Sequence, residues 1–258
     1  MPESDFVGTG SPLSVSALAA ACDALHVNAP AIWSVLKVET RGCGFLASRR
    51  PQILFERHVF HLETNGRFDL SHPEVSDPEP GGYGAGGAHQ YDRLAEALAL
   101  DRRAALRSAS WGIGQVMGRN AQLVGFADVE EMVRDMMESE DAQLRGMYGF
   151  IQATGLDRAL QACRWADFAR GYNGKNYAVN GYDTKLHDAF EHYSVNGTPD
   201  IRLRAAQVML MYAGCDPGPV DGLPGRRTRD ATVRFQQQAD LPPTGELDAA
   251  TLAALGVA

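Results

Sequence analysis

The sequence predicts a mainly α-helical protein with little β-strand, and three observations carry this prediction. Apolar residues recur at intervals of three and four over much of the 258-residue chain, which is the period of a helix face. Residues 91–108 are rich in alanine, leucine and arginine, which favour helices. One short apolar segment, Ile53-Leu54-Phe55-Glu56, reads as a brief strand or extended segment.

The predicted elements follow one another closely, apart from one long loop. In the N-terminal part, helices are predicted over residues 14–25, 29–39, 58–63, 91–108, 120–124, 128–137, 139–153, 156–162 and 165–170. Residues 64–88 are rich in proline and glycine, so we predict a loop there. Loops of this length in a compact domain are usually functional or disordered.

A change of composition near residues 194–199 predicts a linker between two domains. We therefore place one domain at residues 1–196 and a second at 197–258. The second domain is small but able to hold a core of its own. Helices are predicted there over residues 200–213 and 228–239, and a third helix is predicted to begin near residue 248.

Charge and composition argue against several classes of protein. The formal net charge of -8 and the pI of about 5.4 argue against broad nucleic-acid binding. No apolar run approaches the roughly 20 residues of a transmembrane helix, so membrane insertion is not expected. The first residues lack the basic and apolar regions of a secretory signal, so we expect synthesis in a cytoplasm.

One acidic residue lies where a helix face is expected to be apolar. Asn28 can cap the helix that contains Glu39. The apolar residues on the same face are Ile32, Val35 and Leu36. The chain breaks directly after Glu39, and both the helix dipole and the apolar neighbours raise the pKa of a carboxyl group there. A raised pKa suits a general acid, although a boundary glutamate that points into water is the alternative.

The C-terminal domain contains an ordered series of short motifs. They are Pro217-Gly218-Pro219-Val220-Asp221-Gly222, Gly225, Thr228-Arg229, Ala231, Val233, Phe235-Gln236, Leu241-Pro242-Pro243-Thr244-Gly245-Glu246-Leu247-Asp248 and Thr251-Leu252. In this order they resemble the three-helix peptidoglycan-binding domain. The resemblance implies that peptidoglycan glycan strands are a partner of the protein.

A second series of motifs lies in the N-terminal domain. It comprises Val38-Glu39-Thr40-Arg41-Gly42-Cys43-Gly44-Phe45, Arg50-Pro51-Gln52-Ile53-Leu54-Phe55-Glu56-Arg57-His58, Gly82-Tyr83-Gly84, Ser108-Ala109-Ser110-Trp111-Gly112-Ile113-Gly114-Gln115-Val116-Met117-Gly118 and Gly171-Tyr172-Asn173-Gly174. This segment resembles the phage-type N-acetylmuramidase family, within the lysozyme and lytic transglycosylase superfamily. There a helix-borne glutamate, a G-x-x-Q element and a Y-N pair line one sugar groove.

The resemblance implies a lysozyme-like α-helical catalytic domain and an endolysin that acts on the bacterial cell wall. Glu39 would be the catalytic acid that cleaves the β-1,4 bond between N-acetylmuramic acid and N-acetylglucosamine. A lytic transglycosylase that forms a 1,6-anhydro product is the alternative at the same site. The resemblance also implies that the protein is made in the host cytoplasm and reaches periplasmic peptidoglycan after the membrane is permeabilised.

A second carboxylate is the usual partner of a glycosidase acid. Glu56 is the first candidate, because an acid within a short apolar segment needs a reason to be there. A buried salt bridge with Arg57 or Arg50 is the alternative for Glu56. Some members of the superfamily work without a second carboxylate and let the substrate acetamide assist.

Several polar and aromatic residues are candidates for binding the sugar. Ser110, Gln115, Tyr172 and Asn173 suit its amide and hydroxyl groups, and we expect them to bind sugar rather than to control the proton of the acid. Two further candidates are aromatic residues, Trp111 and Tyr83. Trp111 could stack on a sugar face or lie in the core, and Tyr83 could form a groove wall or be a surface anchor.

Two other classes of protein remain as alternatives. A zinc hydrolase is disfavoured because His58 and His61 are not part of an H-E-x-x-H motif. A non-catalytic wall-binding or virion structural protein would explain the C-terminal domain alone. We therefore expect a monomeric glycoside hydrolase that needs no metal and no cofactor.

Overall fold

In the computed structural model, the protein is mainly α-helical, as predicted. The structure describes residues 6–40, 43–174 and 177–257. The helices are α1 (Val15–Leu25), α2 (Ala29–Thr40), α3 (Arg57–Thr64), α4 (His89–Leu100), α5 (Arg102–Arg107), α6 (Val129–Glu138), α7 (Glu140–Ala153), α8 (Asp157–Gln161), α9 (Trp165–Asn173), α10 (Tyr182–Asn196), α11 (Ile201–Tyr212), α12 (Arg226–Gln238) and α13 (Ala249–Leu255). One small sheet consists of β1 (Ile53–Phe55), β2 (Ala109–Trp111) and β3 (Val116–Met117).

Helix α2 begins as the sequence predicts. The Asn28 side chain accepts a hydrogen bond from the backbone N–H of Ala31 at 3.2 Å, which satisfies one of the free donors of the first turn. Ile32, Val35 and Leu36 are fully buried in the main core. This buried face fixes the rotation of α2 and therefore the direction in which Glu39 points.

The sheet has the strand order β1-β2-β3 with antiparallel pairs. Leu54 of β1 lies opposite Ser110 of β2, and Ser110 lies opposite Met117 of β3. The turn between β2 and β3, residues 112–115, includes Gly112 with φ 71° and Gln115 with φ 49°. The sequence predicted β1, but β2 and β3 are too short to give an alternating pattern.

Two predicted helices need correction, and one helix was not predicted. Residues 91–108 form two helices, because Asp101 is extended and its side chain caps α5 by accepting from Ala104 N at 2.9 Å. Residues 118–120 form a 3₁₀ turn followed by further turns, so the α-helix predicted at 120–124 is wrong. The sequence analysis also missed α10, whose Leu186 and Tyr193 are buried against the main core.

Buried apolar residues form a main core and two smaller clusters. The main core draws on α1 to α10 and the sheet, whereas a second cluster joins α11, α12 and α13. A third cluster joins Cys43 and Phe45 to Val208 of α11 and to Val220. The division of the chain at residues 196 and 197 remains a prediction, and this third cluster contains residues from both sides of it.

No single described helix is long and apolar enough to cross a membrane. Helices α1 and α2 together have the length and apolar composition of a membrane span, but the chain bends by 106° between them. Most of their apolar residues lie in the main core.

Candidate active site

Glu39 lies at the end of α2 with a partly buried carboxyl group. Burial raises the pKa of Glu39 to about 7, because the surrounding protein disfavours the charged form. The side-chain amide of Asn173 donates a hydrogen bond to Glu39 Oε1 at 2.9 Å and opposes this rise in the pKa. Glu39 is therefore protonated in a large fraction of molecules near neutral pH, as a general acid needs to be.

The last turn of α9 supplies two of the predicted site residues. Tyr172 stacks on Phe168, with ring centroids 5.4 Å apart, and donates from its hydroxyl to the carbonyl of Gly114 at 2.6 Å. Burial and the charge of Glu39 raise the pKa of Tyr172. The neighbouring Asn173 donates a hydrogen bond from Nδ2 to Glu39. Its buried Oδ1 has no hydrogen-bond partner among the described residues. Asn173 therefore keeps an acceptor for a ligand.

Gln115 and Ser110 are engaged with each other in the turn between β2 and β3. Ser110 Oγ donates to Gln115 Oε1 at 2.9 Å. Gln115 Nε2 donates to the carbonyl of Gly112 at 2.9 Å and to that of Gln52 at 3.3 Å. Both amide protons of Gln115 are thus used within the protein, and the side chain holds the turn in its conformation.

The structure corrects the assignment of Trp111 to substrate binding. Trp111 is 0% exposed, and its indole N–H donates to the carbonyl of Leu106 at 3.1 Å. Its ring packs against Phe6 with a centroid distance of 5.6 Å. Trp111 belongs to the core, because residues of β2 on this face point towards the apolar side of the sheet.

Glu56 and Tyr83 form a group of contacts with His58 and Arg93. Glu56 Oε2 lies 3.2 Å from His58 Nδ1, and Tyr83 lies near enough to lower the pKa of Glu56. Burial raises the pKa of Glu56, while His58, Tyr83 and the charge of Arg93 oppose the rise. Arg93 also donates to the Tyr83 carbonyl at 3.0 Å, which fixes this part of the long loop.

Tyr182 lies close enough to Glu39 for the carboxylate charge to raise its pKa, and the sequence itself shows no sign of this. It begins α10, and both burial and the charge of Glu39 raise its pKa. The apolar residues of α10 recur at helical spacing, which could have revealed the helix. They are Tyr182, Leu186, Ala189, Phe190 and Tyr193.

The histidines considered as zinc ligands have separate partners. His58 lies beside Glu56, whereas His61 Nδ1 is 2.8 Å from Asp69 Oδ2. Over residues 6–40, 43–174 and 177–257, no three histidine, cysteine, aspartate or glutamate side chains converge as a metal site requires.

A mainly helical domain that holds a carboxyl group of raised pKa at a helix end is compatible with a glycoside hydrolase. Residues 28–194 match the family model described as N-acetylmuramidase, and the chain belongs to this family. Residues 201–255 match the model of a peptidoglycan-binding domain. The enzyme is therefore a muramidase with a second domain of the peptidoglycan-binding type, as the sequence resemblance implied.

One solved structure provides a close comparison. It is the crystal structure of the Burkholderia AP3 phage endolysin, whose sequence is 39% identical to that of this chain. The two structures superpose with a TM-score of 0.67. The match covers 72% of this chain and 72% of that chain. A comparison with curated proteins finds no match.

Proposed function

We propose that this muramidase is an endolysin that hydrolyses the β-1,4 bond between N-acetylmuramic acid and N-acetylglucosamine, with Glu39 as the general acid. The main support is the carboxyl group of Glu39, whose pKa burial raises to about 7. At that pKa the carboxyl group holds a proton and can also release it near neutral pH. Similarity to a phage endolysin supports the biological role.

In the proposed reaction, Glu39 gives its proton to the glycosidic oxygen as the bond to the muramic acid carbon breaks. Positive charge develops on the sugar ring at this point. The amide of Asn173 keeps Glu39 Oε1 in place and, once the proton has left, stabilises the carboxylate. A water molecule then forms a bond to the anomeric carbon and loses one proton, which restores the acid form of Glu39.

We propose Glu56 as the second carboxyl group of the reaction. It follows β1, the strand that pairs with the Ser110 strand. Replacement of Glu56 by glutamine should lower kcat at least tenfold, because the developing positive charge would lose a carboxylate. If Glu56→Gln retains wild-type kcat, assistance from the substrate acetamide is the better mechanism.

We propose two different roles for the remaining polar residues. Asn173 Oδ1, buried and without a partner among the described residues, accepts a hydrogen bond from a sugar N–H or hydroxyl group. Tyr83, which is 39% exposed, contacts the sugar from the long loop. The other three, Ser110, Gln115 and Tyr172, act mainly by holding the backbone of the turn at 112–115.

The test of the acid is Glu39→Gln, measured as release of reducing ends from purified sacculi. Loss of general acid catalysis should lower the rate by about 10² to 10⁴. The matched control is Glu191→Gln, because Glu191 is exposed on α10. A folded Glu39→Gln enzyme that keeps a third of the activity would reject this assignment.

A lytic transglycosylase remains the alternative within the same site. In that reaction the C6 hydroxyl of muramic acid, rather than water, attacks the anomeric carbon. Mass spectrometry of the released muropeptides separates the two, because a 1,6-anhydro product is lighter by one water. Family membership in the muramidases favours hydrolysis and sets aside the non-catalytic alternative.

We also propose that the C-terminal domain holds the enzyme on peptidoglycan through a cavity of about 620 Å³. Its lining combines Arg226, Arg229 and Glu246 with small and hydroxyl residues, which suits a ligand with both carboxylate and amine groups. Arg229→Ala should weaken sedimentation with sacculi, whereas Arg202→Ala, at an exposed position of α11, should not. Equal sedimentation of both variants would move the binding surface elsewhere.

The proposal includes the setting in which the enzyme acts. We propose that the protein is a monomer, is made in the host cytoplasm without inserting into the membrane, and reaches periplasmic peptidoglycan after the membrane is permeabilised. Sedimentation of the purified protein with sacculi and with lipid vesicles, together with its mass in solution, tests these statements. Binding to vesicles or a stable dimer would contradict them.

A further inference from the structure

A buried ion pair joins the first helix of the C-terminal domain to the catalytic domain. Arg204 of α11 and Glu140 of α7 are both 0% exposed. Their contact is bidentate, with Arg204 Nη1 2.6 Å from Glu140 Oε2 and Nη2 2.7 Å from Oε1. A buried pair of this kind is stable only with good geometry and further hydrogen bonds to its charged groups.

The further hydrogen bonds of Glu140 come from the catalytic domain. Its Oε2 accepts from the backbone N–H of Leu13 at 2.8 Å, and its Oε1 accepts from that of Gly44 at 2.7 Å. Gly44 follows Glu39 by five positions in the chain. The carboxylate of Glu140 therefore holds the backbone of Gly44, shortly after the helix that carries Glu39.

One turn further along α7, Gln143 holds the other loop of the site. Gln143 Oε1 accepts from the backbone N–H of Ile113 at 2.7 Å, and its Nε2 donates to the carbonyl of Met136 at 2.8 Å. Ile113 belongs to the turn at 112–115, whose Gly114 carbonyl accepts from Tyr172. The next residue after Tyr172 is Asn173, which donates to Glu39. These contacts therefore connect Gln143 of α7 to the carboxyl group of Glu39.

Arg204 also lies against the acid-bearing helix itself. Its guanidinium carbon is 5.9 Å from the ring centroid of Trp33, which is buried on α2. Near the other end of α11, the Tyr212 hydroxyl donates to the carbonyl of Gly10 at 2.9 Å. Helix α11 is therefore attached to the catalytic domain at both of its ends.

We propose that Arg204 is a positioning residue for Glu39, and that helix α11 of the wall-binding domain is a structural part of the catalytic site. Arg204 fixes Glu140, whose carboxylate holds Gly44, five positions after Glu39. Gln143, one turn further along α7, holds Ile113 in the turn that Tyr172 contacts. The inference rests on the proposed role of Glu39 as the acid. It implies that the second domain does more than raise the local concentration of the enzyme at its substrate.

The test uses the full-length protein with Arg204→Met, Arg204→Lys, the double variant Arg204→Met with Glu140→Gln, and the control Arg202→Met. Arg204→Met leaves Glu140 buried without its partner, so Tm should fall by roughly 10 °C. At temperatures where each variant is folded, kcat on sacculi should fall about tenfold or more, because small misplacements of a catalytic group are costly. The apparent KM should change by no more than about twofold, since the binding surface is untouched.

The double variant and the lysine variant separate positioning from stability. Removal of both charges should restore much of Tm but leave kcat low, because the glutamine offers one oxygen in place of the two that now accept from Leu13 and Gly44. Arg204→Lys keeps a charge without the bidentate geometry and should give an intermediate kcat. In both variants the alkaline limb of the pH–rate profile should move from its wild-type position.

Wild-type kcat and an unmoved alkaline limb in any folded variant at Arg204 would overturn the proposal. The Arg202→Met control should match the wild type in Tm, kcat and KM. Glu39→Gln, assayed in parallel, distinguishes the two possible failures. An active Glu39→Gln would reject the proposed acid, whereas an inactive Glu39→Gln with a normal Arg204→Met would reject only the positioning role.

Discussion

At the scale of single residues, the proton of Glu39 affects stability as well as the proposed catalysis. Its pKa rises from 4.5 to about 7 because the folded protein surrounds the carboxyl group. Between these two pH values the folded state binds more protons than the unfolded state does. Stability is therefore lost as the pH rises through this window, and the loss is complete above the folded pKa.

We predict that Glu39→Gln is more stable than the wild type at alkaline pH. The glutamine removes the buried charge, so the gain should reach roughly 3 kcal/mol near pH 8 and vanish near pH 4. Urea denaturation at both pH values measures the difference. An equal gain at both pH values would show that packing, rather than the charge, is responsible.

Asn173 affects the same proton, which differs from the expectation that it only binds sugar. Its hydrogen bond lowers the pKa of Glu39, so Asn173→Ala should move the alkaline limb of the pH–rate profile to higher pH. We also expect kcat to fall by roughly tenfold or more, since one positioned donor is lost. Asn180→Ala is the control, because Asn180 is exposed. A limb that does not move would mean that this hydrogen bond is absent in the working enzyme.

At the scale of elements, α10 supports the acid-bearing helix. The two helices pack together, and Leu186 of α10 is 2% exposed within the main core. We predict that Leu186→Ala destabilises the protein by about 2–5 kcal/mol through lost burial and a cavity. Val195→Ala on the same helix should change stability by less than about 0.5 kcal/mol, because Val195 is 79% exposed. Chemical denaturation of both variants is the measurement, and equal losses would contradict this packing.

At the scale of the whole molecule, the two domains are joined by a buried contact. Separation of α11 from the catalytic domain would expose the cluster of Cys43, Phe45, Val208 and Val220. It would also leave Glu140 without Arg204, a loss of about 3–5 kcal/mol for a broken buried pair. Together these terms couple the folding of the two domains.

We predict that the full-length protein unfolds in one cooperative transition. The calorimetric and van't Hoff enthalpies should agree, because unfolding of either domain alone would break the buried contact between them. Differential scanning calorimetry provides both values. Two resolved transitions in the wild type would show that the domains unfold independently.

Local patterns in the amino-acid sequence were enough to predict the helical class, the position of Glu39 on a helix and the family. Each of these depends on local spacing: the helix face of Ile32, Val35 and Leu36, and motifs whose residues are close together in the chain. Strands β2 and β3 were missed because two or three residues show no period, whereas the apolar spacing of α10 could have revealed that helix.

Which side chains are available for chemistry depends on contacts between distant parts of the chain. Trp111 is in the core because the sheet turns it inwards, and the amide of Gln115 is occupied by neighbours in its own turn. The bond between Asn173 and Glu39 joins residues 134 positions apart. The pairing of Arg204 with Glu140 spans 64 positions and both domains. Such contacts depend on the packing of whole helices, which local sequence patterns do not specify.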